Sequence, residues 1–319
     1  MPNKKISELP FISESEISGN TLVPLVTYFS AATGDTVHTY VDDLQNYIIN
    51  NGYWTSGSTG TGSVTINNGG GSDSQGNYSY SEGQSSFAVG DASHAEGQGT
   101  TSTGFASHSE GRNTTADGNY SHAEGNGTQS LGNNSHSEGS LTTSNGDSSH
   151  AQGEYTNSVG LASHASGLGL NGNEIIANGQ TSFIHCEVTG LLSSGVYSDN
   201  ASILGGIDNF ISGASNNSSI IGGKENYIGT GSTSSTILGG DGNMIGNGVT
   251  NSVILGGVSI SATSGNTVYV PSFVIYTEYE PTSFSDPAGE PGSITWSSNT
   301  DKLYYKTANG WFVIGGTPA

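Results

Sequence analysis

The chain has 319 residues, of which 50 are glycine and only 32% are hydrophobic, and it carries a net charge of -21 from 27 acidic and 6 basic side chains. Glycine at this level without a Gly-x-y period excludes collagen, and a fixed repeat excludes a low-complexity disordered chain. The lack of any Lys/Arg cluster to neutralise phosphates excludes nucleic acid as a partner.

Cys186 is the single cysteine, so neither a disulfide framework nor a cysteine-based metal site is expected. Met1-Pro2-Asn3-Lys4-Lys5 opens no apolar leader, and no apolar run approaches the ~20 residues of a membrane span. The expectation is a protein that folds in a cytoplasm and does not insert into a membrane.

In chain order, residues 1–52 read as a small module of their own. Thr21 to Phe29 and Thr36 to Tyr40 are strand-like around a Gly34-Asp35 turn. A short helical pattern then runs from Asp42-Asp43 through Leu44, Tyr47, Ile48 and Ile49 to a stop at Asn51-Gly52. Asp42-Asp43 is read as a helix N-terminus, not a metal pair. Residues 53–64 read as a Gly/Ser/Thr linker.

From 65 to 169 one unit dominates. Ser93-His94-Ala95-Glu96-Gly97 returns every fourteen residues, at Ser107, Ser121, Ser135, Ser149 and Ser163. A looser copy, such as Thr100-x-Ser102-x-Gly104, lies halfway between. The parent unit is therefore seven residues, [ST]-x-[AS]-x-G, and a fixed period of this kind marks a repeat architecture. Small residues at positions 1 and 3 share one face of a strand, and Gly at position 5 permits a reversal with positive φ. Two short strands and two turns per fourteen residues predict a flat parallel β-roll with a very thin interior.

Residues 170–200 read as a transition with an apolar strand, Ser182 to Leu192. A second repeat of seventeen residues follows over 201–262. It carries Ile203-Leu204-Gly205-Gly206, Ile220-Ile221-Gly222-Gly223, Ile237-Leu238-Gly239-Gly240 and Ile254-Leu255-Gly256-Gly257. Asn209, Asn226 and Asn243 recur at fixed offset and predict an amide ladder along the axis. The cap, 263–319, begins with a strand-like stretch from Thr267 to Tyr279 and a turn-rich break at Pro287 to Gly292. It continues as a β-meander of Ser293 to Trp296, Leu303 to Lys306 and Trp311 to Ile314, with turns at Asn299-Thr300 and Asn309-Gly310.

The seven-residue unit resembles the head repeat of trimeric autotransporter adhesins, the YadA-like parallel β-roll. In that family Ser and Ala point inward, while two apolar positions face neighbouring subunits of a trimer. In this chain, aligned on Tyr120-Ser121-His122-Ala123-Glu124-Gly125, those two positions hold His and Glu. The ends resemble tailed-bacteriophage fibre and virion-appendage proteins. Lys5-Ile6-Ser7-Glu8-Leu9-Pro10 with Gly19 to Pro24 is similar to segments that dock a fibre onto the particle. Gly289 to Trp296, with Leu303 to Thr307 and Gly310-Trp311, is similar to small terminal modules of phage structural proteins. The resemblances imply an all-β homotrimer, side by side or intertwined, located in the virion. It would meet other virion proteins through residues 1–52 and contribute to host-surface attachment through a surface glycan or protein. A bacterial cell-surface trimeric adhesin is the alternative, and a glycan-degrading β-helix enzyme a third.

The candidate site is the His/Glu face. His94, His108, His122, His136, His150 and His164 should stack one per coil about 4.8 Å apart. Glu96, Glu110, Glu124 and Glu138 lie on the same face, giving way to Gln152 and Ser166. This face is monotonous while the opposite one drifts, so it is expected to meet its own copies, with rings of imidazole–carboxylate hydrogen bonds. Stacked carboxylates ~5 Å apart should repel and should raise the imidazole pKa values. Ile203, Ile220, Ile237 and Ile254 are expected at the same interface further along. Trp296, Tyr304, Tyr305 and Trp311 form a candidate glycan-stacking surface. Imidazole and carboxylate suit Zn or Ni, but with every coil then a site, no metal, cofactor or catalytic residue is assigned.

Overall fold

A computed structural model describes residues 54–67, 70–170, 172–189, 194–272, 281, 291–297, 300 and 302–314. The hairpin and helix expected over 1–52 lie outside the described residues, as does most of the 273–290 stretch. Among the described residues every regular element is a strand.

The seven-residue unit folds as its small residues require. Each fourteen-residue coil gives one five-residue strand, such as His94–Gln98, and one two-residue strand, such as Thr101–Ser102. The long strands stack in register into one sheet and the short ones into another, so that His122 pairs with His136 and Gln129 with Thr143 in parallel. The first sheet has 15 strands and the second 13. One solenoid therefore runs without a break through both repeat periods and the stretch between them. The segment expected to be a linker contributes the opening strand, Trp54–Ser56, antiparallel to Val64–Asn67. Fourteen coils at ~4.8 Å each give a rod roughly 65 Å long.

The interior changes character along this rod. In the first half the walls meet through Ala95, Ser102, Ser109, Ala116 and Ala123, all 0% exposed. Hydroxyls bridge the two walls, as in Ser102 Oγ to Ser109 Oγ at 2.8 Å. At Ala165, which pairs with Ile184, the inward column turns aliphatic and continues as Ile203, Ile220, Ile237 and Ile254. The opposite wall answers with Val196, Ile211, Ile228 and Ile245. Seventeen residues per coil leave room for these side chains, and fourteen do not.

The Asn ladder is present. Asn226 is 1% exposed; its Nδ2 donates to Gly222 O and Gly240 O, both at 3.1 Å, and its Oδ1 accepts the Asn243 N–H at 3.0 Å. A second ladder of Asx side chains runs along the exposed turns, where Asn133 Oδ1 accepts the Asn119 N–H and Asp147 Oδ1 accepts the Asn133 N–H.

The glycines divide into two classes. Gly97, Gly111, Gly125, Gly139 and Gly153 have φ from +102° to +111°, the positive-φ role expected of position 5. Gly104, Gly118 and Gly132 do not. They are required by closeness alone, because a Cβ on Gly118 would stand 1.9 Å from Gly132 O in the next coil, whereas the positive-φ glycines are required on both counts, a Cβ on Gly125 standing 2.1 Å from Gly139 O.

The C-terminal meander, considered by itself, is a three-stranded antiparallel sheet of Ile294–Ser297, Lys302–Thr307 and Gly310–Ile314. Lys306 pairs with Trp311 and holds its Nζ 5.2 Å above the indole centre.

Candidate functional site

The flank of the first sheet carries two outward columns, one on each side of the inward Ala/Ile column. The first holds the histidines. From His94 to His150 successive imidazoles stack with centroids 4.6–4.9 Å apart and planes within 6°. His164 turns edge-on to His150 and stacks on Phe183 at 5.0 Å, while Tyr80 leans on His94 at 4.9 Å. Tyr80 and Phe183 complete an aromatic ladder that extends beyond the Ser-His repeat itself. Aligning Ser182-Phe183-Ile184-His185 with Ser163-His164-Ala165-Ser166 reveals Phe183, once the five extra residues of that coil are placed in a loop.

The second column holds Glu82, Glu96, Glu110, Glu124 and Glu138, then Gln152, Ser166 and His185, paired rung by rung. The side chains from Glu82 to Gln152 line an open groove of about 940 Å³ whose floor is the column of glycines from Gly83 to Gly153. The carboxylates do not simply repel. Glu96 and Glu124 are raised to about 7, first by hydrogen bonding to the Glu110 carboxylate between them and then by burial. Glu110 is correspondingly lowered by accepting from both. Within this trio the central carboxylate accepts and its two neighbours hold their protons more tightly.

The imidazoles depart from expectation. Burial in the stack lowers His94, His108, His122, His136 and His164, and outweighs the carboxylates that favour the charged form. The Nε2 atoms of His94, His108, His122, His136 and His150 are sealed from solvent and lack a hydrogen-bond partner. They lie near carboxylates without bonding them: His136 Nε2 is 3.5 Å from Glu124 Oε1, His150 Nε2 is 3.5 Å from Glu138 Oε1, and His94 Nε2 is 3.7 Å from Glu96 Oε2. Because Nε2 is closed off within one chain, it cannot supply the expected hydrogen bonds to another copy.

The isoleucine row is corrected as well. Ile203, Ile220, Ile237 and Ile254 are 0% exposed and fill the coil, so they form no outer interface. Successive strand residues point to opposite faces, and it is Leu204, Ile221, Leu238 and Leu255 that emerge, 42–49% exposed. Each follows an isoleucine that continues the Ala column, so these residues occupy the second column, one position type with Glu96 and Glu124. The same flank is thus acidic over its first half and apolar over its second. Aligning Ala201-Ser202-Ile203-Leu204-Gly205 with Ser93-His94-Ala95-Glu96-Gly97 carries this phase in the sequence.

The four aromatic residues of the C-terminal sheet do not form one platform. Register places Trp296 and Tyr305 on one face and Tyr304 and Trp311 on the other. Trp311 is 6% exposed beneath Lys306, which closes it to stacking.

Compared with models of protein families and with curated proteins, the sequence matches none.

Proposed function

We propose that this chain is a structural component of a virion fibre or appendage, a homotrimer whose solenoid is the shaft and whose distal part contributes to host-surface attachment. The observation that carries the reading is the apolar stripe of Leu204, Ile221, Leu238 and Leu255, one exposed side chain per coil at the same position of four successive coils. A contiguous exposed apolar row marks an interaction surface. A row repeated at coil spacing is matched in length and period by the same row on another copy, and rotational symmetry lets every copy use it. The resemblance of the roll to trimeric adhesin heads supports three copies, and the resemblance of both ends to phage fibre segments supports the virion.

A structural role also accords with the placement of the carboxylates, which are spread one per coil instead of gathered at one point as hydrolysis requires. Residues 1–52 are the proposed docking segment, and three copies on one fibre would raise avidity for a host glycan or protein without tight individual sites. The test is immunogold labelling of purified particles with an antibody raised against residues 94–164. Labelling on the particle supports the reading; labelling confined to the bacterial envelope replaces it with the cell-surface adhesin.

A further inference from the structure

We propose that the open face of the C-terminal sheet is a second contact between copies of this chain, on which three chains close about one axis. This rests on the three-chain shaft reading and adds a surface that the solenoid stripe does not include.

Register sorts the sheet into two faces. Ile294 pairs with Tyr305 and Tyr305 with Phe312, while Trp296 pairs with Leu303 and Leu303 with Ile314. Residues paired across an antiparallel ladder share a face, and neighbours along a strand alternate. These six apolar side chains therefore stand together. Lys302 and Lys306 stand on the other face, with Thr295, Ser297 and Trp311.

Burial runs against polarity. Thr295, Ser297, Lys306 and Trp311 are only 2–9% exposed, so the face that carries the polar groups is the closed one. Ile294, Tyr305, Phe312 and Ile314 are 39–48% exposed on the apolar face. An antiparallel sheet ordinarily packs its apolar face and solvates its polar one. A sheet of only three short strands also depends on a covered apolar face for its stability. The inversion is resolved when another chain supplies the cover.

The chemistry of the face selects that cover. Among the described residues it carries no charged side chain. Its polar side-chain groups are the Trp296 N–H, the Tyr305 hydroxyl and the Thr307 hydroxyl, which already donates to Gly310 O at 3.0 Å. It lacks the convergent donors and acceptors that orient a sugar. Copies of a chain with net charge -21 repel one another, and an uncharged patch is where they can approach.

Area then decides the number of copies. With ~150–250 Å² for a whole aromatic side chain, the six partly exposed residues offer roughly 400–500 Å² per chain. Two faces pressed together would bury about 800–1,000 Å², below the ~1,200 Å² at which stable interfaces begin, and three about one axis reach it. The total stays near that lower limit, so the sheet does not hold three chains by itself. It closes once the solenoid stripe has brought the copies to a high effective concentration.

Val313 and Ile314 test this as neighbours, since they are 46% and 48% exposed and point to opposite faces. Each is replaced by cysteine in the full chain, whose native Cys186 is buried, and the new thiol is labelled with a water-soluble maleimide. The same two substitutions are labelled in a background of Ile221→Asp with Leu238→Asp. Sedimentation gives the number of chains in every protein. The expected result is that Ile314→Cys reacts roughly tenfold or more slowly in the three-chain protein than in the single-chain background. Val313→Cys should react within about twofold in both.

Equal rates at Ile314→Cys in the two backgrounds overturn the proposal. Fast labelling in both leaves the face open to a different partner, and slow labelling in both means the chain covers the face itself. Protection of Val313→Cys to the same degree overturns it too. None of these results touches the three-chain shaft, which sedimentation reports separately. A native protein of single chains, or an Asp background that remains a trimer, overturns the shaft reading and this proposal with it. Should Ile314→Cys not assemble, Tyr305→Cys on the same face gives the same comparison. Should the Asp background not fold, Ile221→Ser with Leu238→Ser replaces it.

Discussion

Glu124 precedes His136 by one coil, and its carboxylate oxygen lies 3.5 Å from the Nε2 of that next imidazole. The pair joins two rows, the stacked imidazoles and the carboxyls beside them, whose shifts run in opposite senses, so the flank responds to pH from both sides. Glu96 and Glu124 are raised from 4.5 to about 7. The stability they contribute is full below the ordinary carboxylate value and is lost as pH rises through 7. The five lowered imidazoles work in the opposite sense. Their contribution is full above 6.5 and is lost as pH falls through their depressed values.

Thermal unfolding in chelator-containing buffer should therefore show a bell-shaped dependence of Tm on pH. Glu96→Gln with Glu124→Gln should remove the alkaline limb alone, raising Tm at pH 8 by roughly 2 °C or more and leaving the acid limb in place. Equal Tm values for the two proteins at pH 8 would contradict the shared-proton row.

Gly118, which meets backbone of the next coil, and Gly127, which does not, predict opposite tolerance at neighbouring turns. Gly118→Ala should destabilise by roughly 1–3 kcal/mol or more, because the new methyl meets the backbone oxygen of Gly132. Gly127 has φ +68° and would meet only the mobile end of Leu141, and its column already holds Asn113 and Leu141 at φ +53° and +54°. Gly127→Asn should change stability by no more than about 0.5 kcal/mol. Urea denaturation midpoints of the two variants distinguish the two positions, provided unfolding is cooperative in both.

The interior predicts a size limit that moves along the rod. Ile220→Ala should cost about 2–5 kcal/mol through the cavity it leaves. Ala123→Ile, which puts the same side chain into the thin half, should cost at least as much through overpacking. Ser137→Ala should cost only about 0.5–1.5 kcal/mol, the worth of its hydrogen bond to Gln129 O, since Ala123 and Ala151 occupy the adjoining rungs.

Asn226→Ala should be among the most damaging single changes in the second half. It strands the carbonyl of Gly222 and the amide of Asn243, while the Gly240 carbonyl keeps only the Lys224 N–H. Each stranded group costs roughly 1–3 kcal/mol, so loss of the folded solenoid beyond that coil is expected. Hydrogen exchange should show protection falling around residues 222–243 before the Ser/Ala half responds.

The small-residue half was legible because its repeat fixes everything at once. Ser, Ala and Gly at constant spacing allow only a thin roll, and the histidines then fall into a stack by register. The Ile-Leu pairs were not legible in the same way. Two adjacent apolar residues in a strand must face opposite sides, and hydrophobicity alone does not say which faces in. The phase is set upstream, where Ala165 pairs with Ile184 across a coil lengthened by a loop. The imidazole pKa values escaped for a similar reason. Sequence shows the neighbouring carboxylates but not how deeply the stacked rings bury one another. The two turn types also look alike as sequence, since glycine used for positive φ and glycine used for close approach carry the same letter.

The central claim is that the apolar half of the flank joins three chains. Sedimentation equilibrium of the full chain, beside Ile221→Asp with Leu238→Asp, tests it most directly. The account predicts three chain masses for the native protein and a shift to single chains in the folded variant, because charged groups would then sit in the middle of the stripe. A native chain that stays monomeric at micromolar concentration, or a variant that remains a trimer, would contradict it.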